Sequence, residues 1–125
     1  MPNATVLNTL GHGDGSLARF TWALTTADPT GTEALYAEWA DKTWAIDSAS
    51  WGGATLTLQG SNDGTNWFTL ANAAGGTALT FTSGACSGAC SIETPLYVRP
   101  KLTTVGVGAV VGVTLLVRRA TPLRT

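Results

Sequence analysis

Residues 110–117 read Val-Val-Gly-Val-Thr-Leu-Leu-Val, with Val111, Val113, Leu115 and Val117 on alternate positions. A strand puts these four side chains on one face, whereas a helix of 3.6 residues per turn would scatter them. The same period of two recurs along the chain. Phe20, Trp22 and Leu24 alternate with Arg19, Thr21 and Thr25, and Trp44 with Ile46 repeats the pattern in a short strand. Ala54, Leu56 and Leu58 alternate with Thr55, Thr57 and Gln59, Leu79 and Phe81 with Thr80 and Thr82, and Leu96, Val98, Pro100 and Leu102 with Tyr97, Arg99 and Lys101. Gly, Asn, Asp and Pro clusters bound these runs at roughly 8–12-residue spacing, which predicts eight or nine short strands. The expectation is an all-β chain, one antiparallel β-sandwich domain over residues 1–125, jelly-roll or immunoglobulin-like. Trp22, Trp67, Val113 and Leu115 are its expected core anchors. Pro100 cannot donate to a ladder, so its strand is expected at an edge or to end there. Residues 32–42 contain helix formers such as Glu33, Ala34, Leu35 and Ala37, but Leu35, Ala37 and Trp39 alternate, and a strand is predicted. Segments 11–15, 60–66, 71–77 and 83–91 read as turns or loops.

Charge narrows the function classes. Only 12% of the 125 residues are charged, about half of the usual share for a soluble domain, and 21 Thr and 15 Gly take much of that place. The net charge of −1 argues against a general polyanion binder. That sum hides an asymmetry. All eight acids lie at or before Glu93, opposed there only by Arg19 and Lys42, a net of −6; the remaining five basic residues follow, a net of +5. Either the basic end grips a partner, or basic strands lie beside acidic ones and the charges cancel in space. The first residues lack the basic and apolar signature of a signal peptide. The 16 uncharged residues of 102–117 fall short of a membrane span and are broken by Gly106, Gly108 and Gly112. A soluble protein made in a cytoplasm, with no membrane and no nucleic-acid partner, is expected; the basic residues lack an aromatic stacking platform in the sequence.

No catalytic constellation emerges, no cofactor or metal is expected, and the chain reads as a non-enzyme. His12 is the single histidine, set in Gly11-His12-Gly13-Asp14-Gly15 with no elbow presenting a serine. His12, Cys86 and Cys90 supply at most three ligands where structural zinc takes four. Cys86 and Cys90, three residues apart, read as a loop-stapling disulfide ahead of two thiols, closing a ring so short that its stabilisation is small. Gly106-Val107-Gly108-Ala109-Val110-Val111-Gly112 misplaces its third Gly for a dinucleotide site and leads into a strand rather than a helix. In Gly60-Ser61-Asn62-Asp63-Gly64-Thr65-Asn66-Trp67, Asp63-Gly64 is a hairpin turn signal, since Gly supplies positive φ and Asp63 or Asn62 caps the turn through its side chain. The loop lacks the ligand spacing of a calcium hand.

Residues 53–67, Gly-Ala-Thr-Leu-Thr-Leu-Gln-Gly-Ser-Asn-Asp-Gly-Thr-Asn-Trp, followed by Tyr97-Val98-Arg99-Pro100 and the Val-rich strand to Val117, resemble a pattern in small virion proteins of tailed bacteriophages. The resemblance covers about residues 50–119. It implies a β-sandwich capsid decoration (cement) protein or a related head or tail accessory protein. Such a protein would sit on the virion's capsid surface as a homo-oligomer, trimer or dimer, in contact with the major capsid protein. Residues 1–9 and 119–125 are expected as contact arms, and Arg118, Arg119 and Arg124 as bridges to acidic capsid residues or, equally, as a solvated strand end. Uncharged Thr, Val and Ala faces suit close subunit packing, where charges would be desolvated. The Ser-Asn-Asp-Gly-x-x-Trp element is also similar to the hairpin of discoidin-type carbohydrate- or lipid-binding domains and to the Asp-box turn. A carbohydrate-binding module for phage adhesion is therefore the alternative, and the direction of the Trp side chains separates the two.

Overall fold

The computed structural model of the chain describes residues 6–10, 17–35, 41–73, 75–82, 86–90, 95–104 and 107–118. Its spine is the row read first in the sequence: β10 (Val110–Arg118) lies between β2 (Leu17–Thr25) and β4 (Asp41–Ser50), antiparallel to both. The register flanks Val113 with Trp22 and Ile46, and Leu115 with Phe20 and Trp44. Across-strand neighbours on one face are the unit that stabilises a sheet, and here every member is apolar. Trp22 stacks on Trp44 at 5.8 Å between ring centroids and on Phe20 at 6.2 Å. Val111, Val113, Leu115 and Val117 are fully buried, and each removes about 1.5–3 kcal/mol of apolar surface energy from water. β1 (Val6–Leu10) pairs with β2, and β8 (Cys86–Ala89) pairs with β4, completing the sheet order β1-β2-β10-β4-β8.

The second sheet is shorter-stranded. β9 (Tyr97–Thr104) runs between β3 (Ala34–Leu35) and β5 (Thr55–Ser61). The far edge of β5 is lined in turn by β6 (Phe68–Thr69) and β7 (Thr80–Phe81), two halves of one interrupted strand. Leu56, Leu58, Val98 and Leu102 bury their side chains toward the first sheet, as their alternation requires. The pairings β2·β10, β3·β9, β4·β8 and β5·β6 are nested in sequence and alternate between the two sheets. An antiparallel ribbon wrapped over itself in this way is a jelly roll, one of the two sandwich types expected. No helix occurs among the described residues.

Several local readings are corrected. Pro100 lies in the middle of β9 and is flanked on both sides, not at an edge. Its carbonyl accepts from Gly31 N at 2.9 Å, so its missing N–H also faces the segment before β3, where pairing is reduced to the bridge Thr30↔Lys101. The ladder is broken there in any case, and the Trp22 indole donates to the carbonyl of Thr32 at 2.8 Å. The expected loop 83–91 contains β8, which pairs with β4 and sets Ala89 opposite Trp44. Trp44 and Ile46 belong to a ten-residue strand, not a short one. The expected series of about eight or nine short strands is otherwise seen: ten strands occur among the described residues, three of them only two residues long. Of the strand predicted over 32–42, Ala34–Leu35 and the start of β4 are seen; 36–40, like His12 and the 11–15 loop, lie outside the described residues.

Candidate functional site

The Asp63-Gly64 signal resolves into a loop of residues 62–67 joining β5 to β6, wider than a two-residue turn. β5 and β6 pair only as far as Gly60↔Phe68, so the six residues between them are organised by side chains. Asp63 is their hub. Its Oδ1 accepts from Thr65 N and Asn66 N, both at 2.8 Å, and from the Ser61 hydroxyl at 2.9 Å; its Oδ2 accepts from Asn66 Nδ2 at 2.7 Å. The buried Ser61 Oγ in turn accepts from Gly64 N at 2.9 Å and Asp63 N at 3.2 Å. The backbone amide of Asn66, then that of Thr65, then the Asn66 side chain and Ser61 hold the Asp63 carboxyl well below the usual carboxylate range. Gly64 takes φ +77°, where a side chain is strained, and sits over the Tyr97 ring. Asn62 Oδ1 accepts from Leu96 N at 3.1 Å, which ties the loop to the start of β9.

Beside this loop the outer face of the second sheet carries its chemistry. Gln59 and Arg99 are register partners on β5 and β9, and Arg99 Nε donates to Gln59 Oε1 at 2.9 Å. The guanidinium lies over the Trp67 ring at 4.0 Å from its centroid, a cation–π contact of about 0.5–1 kcal/mol at a partly exposed site. Burial pushes the Arg99 guanidinium below its ordinary value, and the field of Glu33 acts in the opposite sense. Tyr97, Lys101 and Leu35 share this face, since their alternate neighbours Val98, Leu102 and Ala34 are buried.

Among the expected site residues, Asp63 and Gly64 lie in the six-residue β5–β6 loop, longer than the tight turn they signal, and Trp22, Val113 and Leu115 are buried, at 1%, 0% and 0% exposure. Trp67 is not a core anchor. It is half-buried on the outer face, because Leu70 takes the inward place on the descending strand and leaves Trp67 to Arg99. Cys90 is exposed after β8, while the Cys86 side chain lies outside the described residues, as do Arg119 and Arg124. Arg118 is exposed at the end of β10, opposite Asp41 in register. The field of Glu33 acts on Arg99, so one basic residue of the C-terminal set lies near an acid of the N-terminal set. Residues 6–9 of the expected N-terminal arm form part of the sheet as β1; residues 1–5 and 119–125 lie outside the described residues. Among the described residues no three His, Cys, Asp or Glu side chains gather as metal ligands.

The sequence reading missed Gln59 and Arg99 as a pair and found no aromatic platform for a basic residue. Both stand at polar positions of alternating runs, but their partnership depends on a register that only the hairpin and β9 together define.

No family model matches the chain, and no curated protein matches it in sequence. Among solved structures, the SPBc2 prophage-derived protein YomS superposes with a TM-score of 0.52 at 14% identity, over 79% of this chain and 94% of that one. PirA follows with a TM-score of 0.44 at 11% identity, over 80% and 93% of the two chains. A cupin 2 domain-containing protein from Halorhodospira halophila reaches 0.41 at 10% identity, over 92% and 64%. A second cupin protein, from Bacteroides fragilis, matches with a TM-score of 0.37 at 13% identity, over 97% and 80% of the two chains. At these identities the likeness is one of fold, and the fold is shared with a prophage-derived protein.

Proposed function

We propose that this chain is a non-enzymatic structural protein of a phage particle, decorating and stabilising the capsid as an oligomer through protein–protein contacts. The observation that carries the reading is spatial. The two motifs on which the virion-protein resemblance rests, 53–67 and Tyr97-Val98-Arg99-Pro100, are neighbours: Ser61 pairs with Tyr97, Gln59 with Arg99 and Leu58 with Pro100, and Trp67 stacks on Arg99. They make one continuous two-strand unit, in which Leu58, Val98 and Pro100 face the core and Gln59, Tyr97, Arg99 and Trp67 face outward. The fold shared with a prophage-derived protein supports the same reading. The carbohydrate-binding alternative loses support from the direction of its aromatic residues, since Trp22 and Trp44 stack in the core and Trp67 has Arg99 over its ring.

The test is sedimentation of undecorated, expanded capsids mixed with the purified protein. Binding at many copies per particle is expected, with a truncation of residues 120–125 binding more weakly. A protein that stays in the supernatant at every concentration overturns the proposal.

A further inference from the structure

The Arg99 guanidinium is held from two directions, by Gln59 at its Nε and by the Trp67 ring against its flat face. A guanidinium has five N–H donors in a rigid fork. Among the described residues only the Nε–H has an acceptor, and the four N–H bonds of the two terminal nitrogens have none. Glu33 lies close enough for its field to favour the charged form, yet it makes no ion pair with Arg99 among the described residues. An arginine fixed in place with its terminal fork unspent matches a carboxylate in two-point geometry, and the fixing lowers the entropy lost on binding.

The surroundings select the kind of carboxylate. Tyr97, Trp67 and Leu35, the last 45% exposed, supply aromatic and apolar surface around the fork. Tyr, Trp and Arg are the residues that most often anchor protein interfaces. Glu33, whose field reaches Arg99, borders the same face. The local positive charge is too small to hold a polyanion such as a nucleic acid or an anionic membrane, while the fork itself still fits a single carboxylate. We propose that the outer face of the second sheet docks a protein partner through a Glu or Asp side chain seated on Arg99, with apolar neighbours of that residue resting on Trp67, Tyr97 and Leu35. This rests on the protein-contact reading above and names its surface.

The probe is a pair of peptides, acetyl-Ala-Leu-Glu-Leu-Ala-amide and its Gln counterpart, titrated into the full chain while NMR follows the Arg99 Nε–H and the Trp67 indole. The Glu peptide should shift both saturably. The Gln peptide, or the Glu peptide with Arg99→Lys, should bind about tenfold more weakly or not at all, since Lys offers no fork. Equal shifts from both peptides, or no shift from either, overturn the inference, as does a Trp67 response to a neutral glycan panel with none to the Glu peptide. Capsid sedimentation separates the two claims. Binding that is indifferent to Arg99→Ala rejects this face and leaves shell decoration standing; a Glu-peptide response without capsid binding rejects the shell and leaves the site.

Discussion

The two sheets obey the same alternation and expose different surfaces. On the first sheet the outward positions include Thr21, Ala23, Thr43, Ala45, Gly112 and Thr114, mostly small side chains, with Arg19, Asp47, Val110 and Leu116 exposed among them. On the second it is Gln59, Tyr97, Arg99 and Lys101, with Trp67 stacked on the arginine. Inside, the ranking reverses. The first sheet carries the long strands and the Phe20–Trp22–Trp44 stack, while the second has β3, β6 and β7 of two residues each. The aromatic core stack thus lies on the inner face of one sheet and the proposed docking residues on the outer face of the other. A protein with the proposed contact role can vary the second without loosening the first.

The sharpest way to break this comparison is to cut into the first sheet's core. Leu115→Ala removes a fully buried side chain from between Phe20 and Trp44 and should cost about 2–5 kcal/mol in denaturant unfolding. Its outward neighbour Thr114→Ala should stay within about 0.5 kcal/mol. Equal effects of the two would mean that the faces are not distinguished. A second test lies in the turn between β4 and β5. Gly52 has φ +54°, and a Cβ there would overlap the carbonyl oxygen of Val107. Gly53 has φ +83° with nothing within 4 Å. Gly53→Ala should therefore cost only the strain of positive φ, about 1 kcal/mol, and Gly52→Ala clearly more, compared by thermal unfolding.

Smaller effects belong to the second sheet. Asp63→Ala should speed amide hydrogen exchange at Thr65 and Asn66, whose N–H groups it accepts, and leave the β10 amides unchanged. Because the folded-state pKa of Asp63 lies below the ordinary 3.8, its contribution is present above that value and is lost only as pH falls through the lower folded value. An NMR titration of the Asp63 carboxyl should place its midpoint below 3.8; a midpoint at or above it would contradict the hub. The smallest stability effect is expected for Arg99→Lys, within about 0.5 kcal/mol, although that variant is the one expected to impair docking.

The inner rows were legible because burial imposes them on the sequence. Val111 to Val117, Leu56 with Leu58, and Val98 with Leu102 needed only the period of two, and the Asp63-Gly64 turn needed only local chemistry. What escaped depended on the pairing of distant segments. Pro100 looked like an edge residue because the sequence does not show which side its missing N–H faces. The Gly- and Cys-rich 86–89 segment looked like a loop because its composition signals a turn and its pairing with β4 is not visible in the local sequence. Trp67 looked buried because aromatic residues usually are, and Arg99, the residue that covers its ring, lies 32 positions away on another strand. The near-zero net charge was a sum in sequence, and at Arg99–Glu33 opposite charges also lie near one another in space.

The central claim, that the second sheet's outer face makes the contact and the first sheet's inner face provides the stability, is tested most directly by a hydrogen-exchange and cross-linking footprint of the protein bound to expanded capsids. The account predicts protection and cross-links confined to Gln59, Trp67, Tyr97, Arg99 and their neighbours, with Thr21, Thr43 and Thr114 as accessible as in the free protein. A footprint on the Thr21–Thr114 face, with Arg99 still open to solvent, would contradict it.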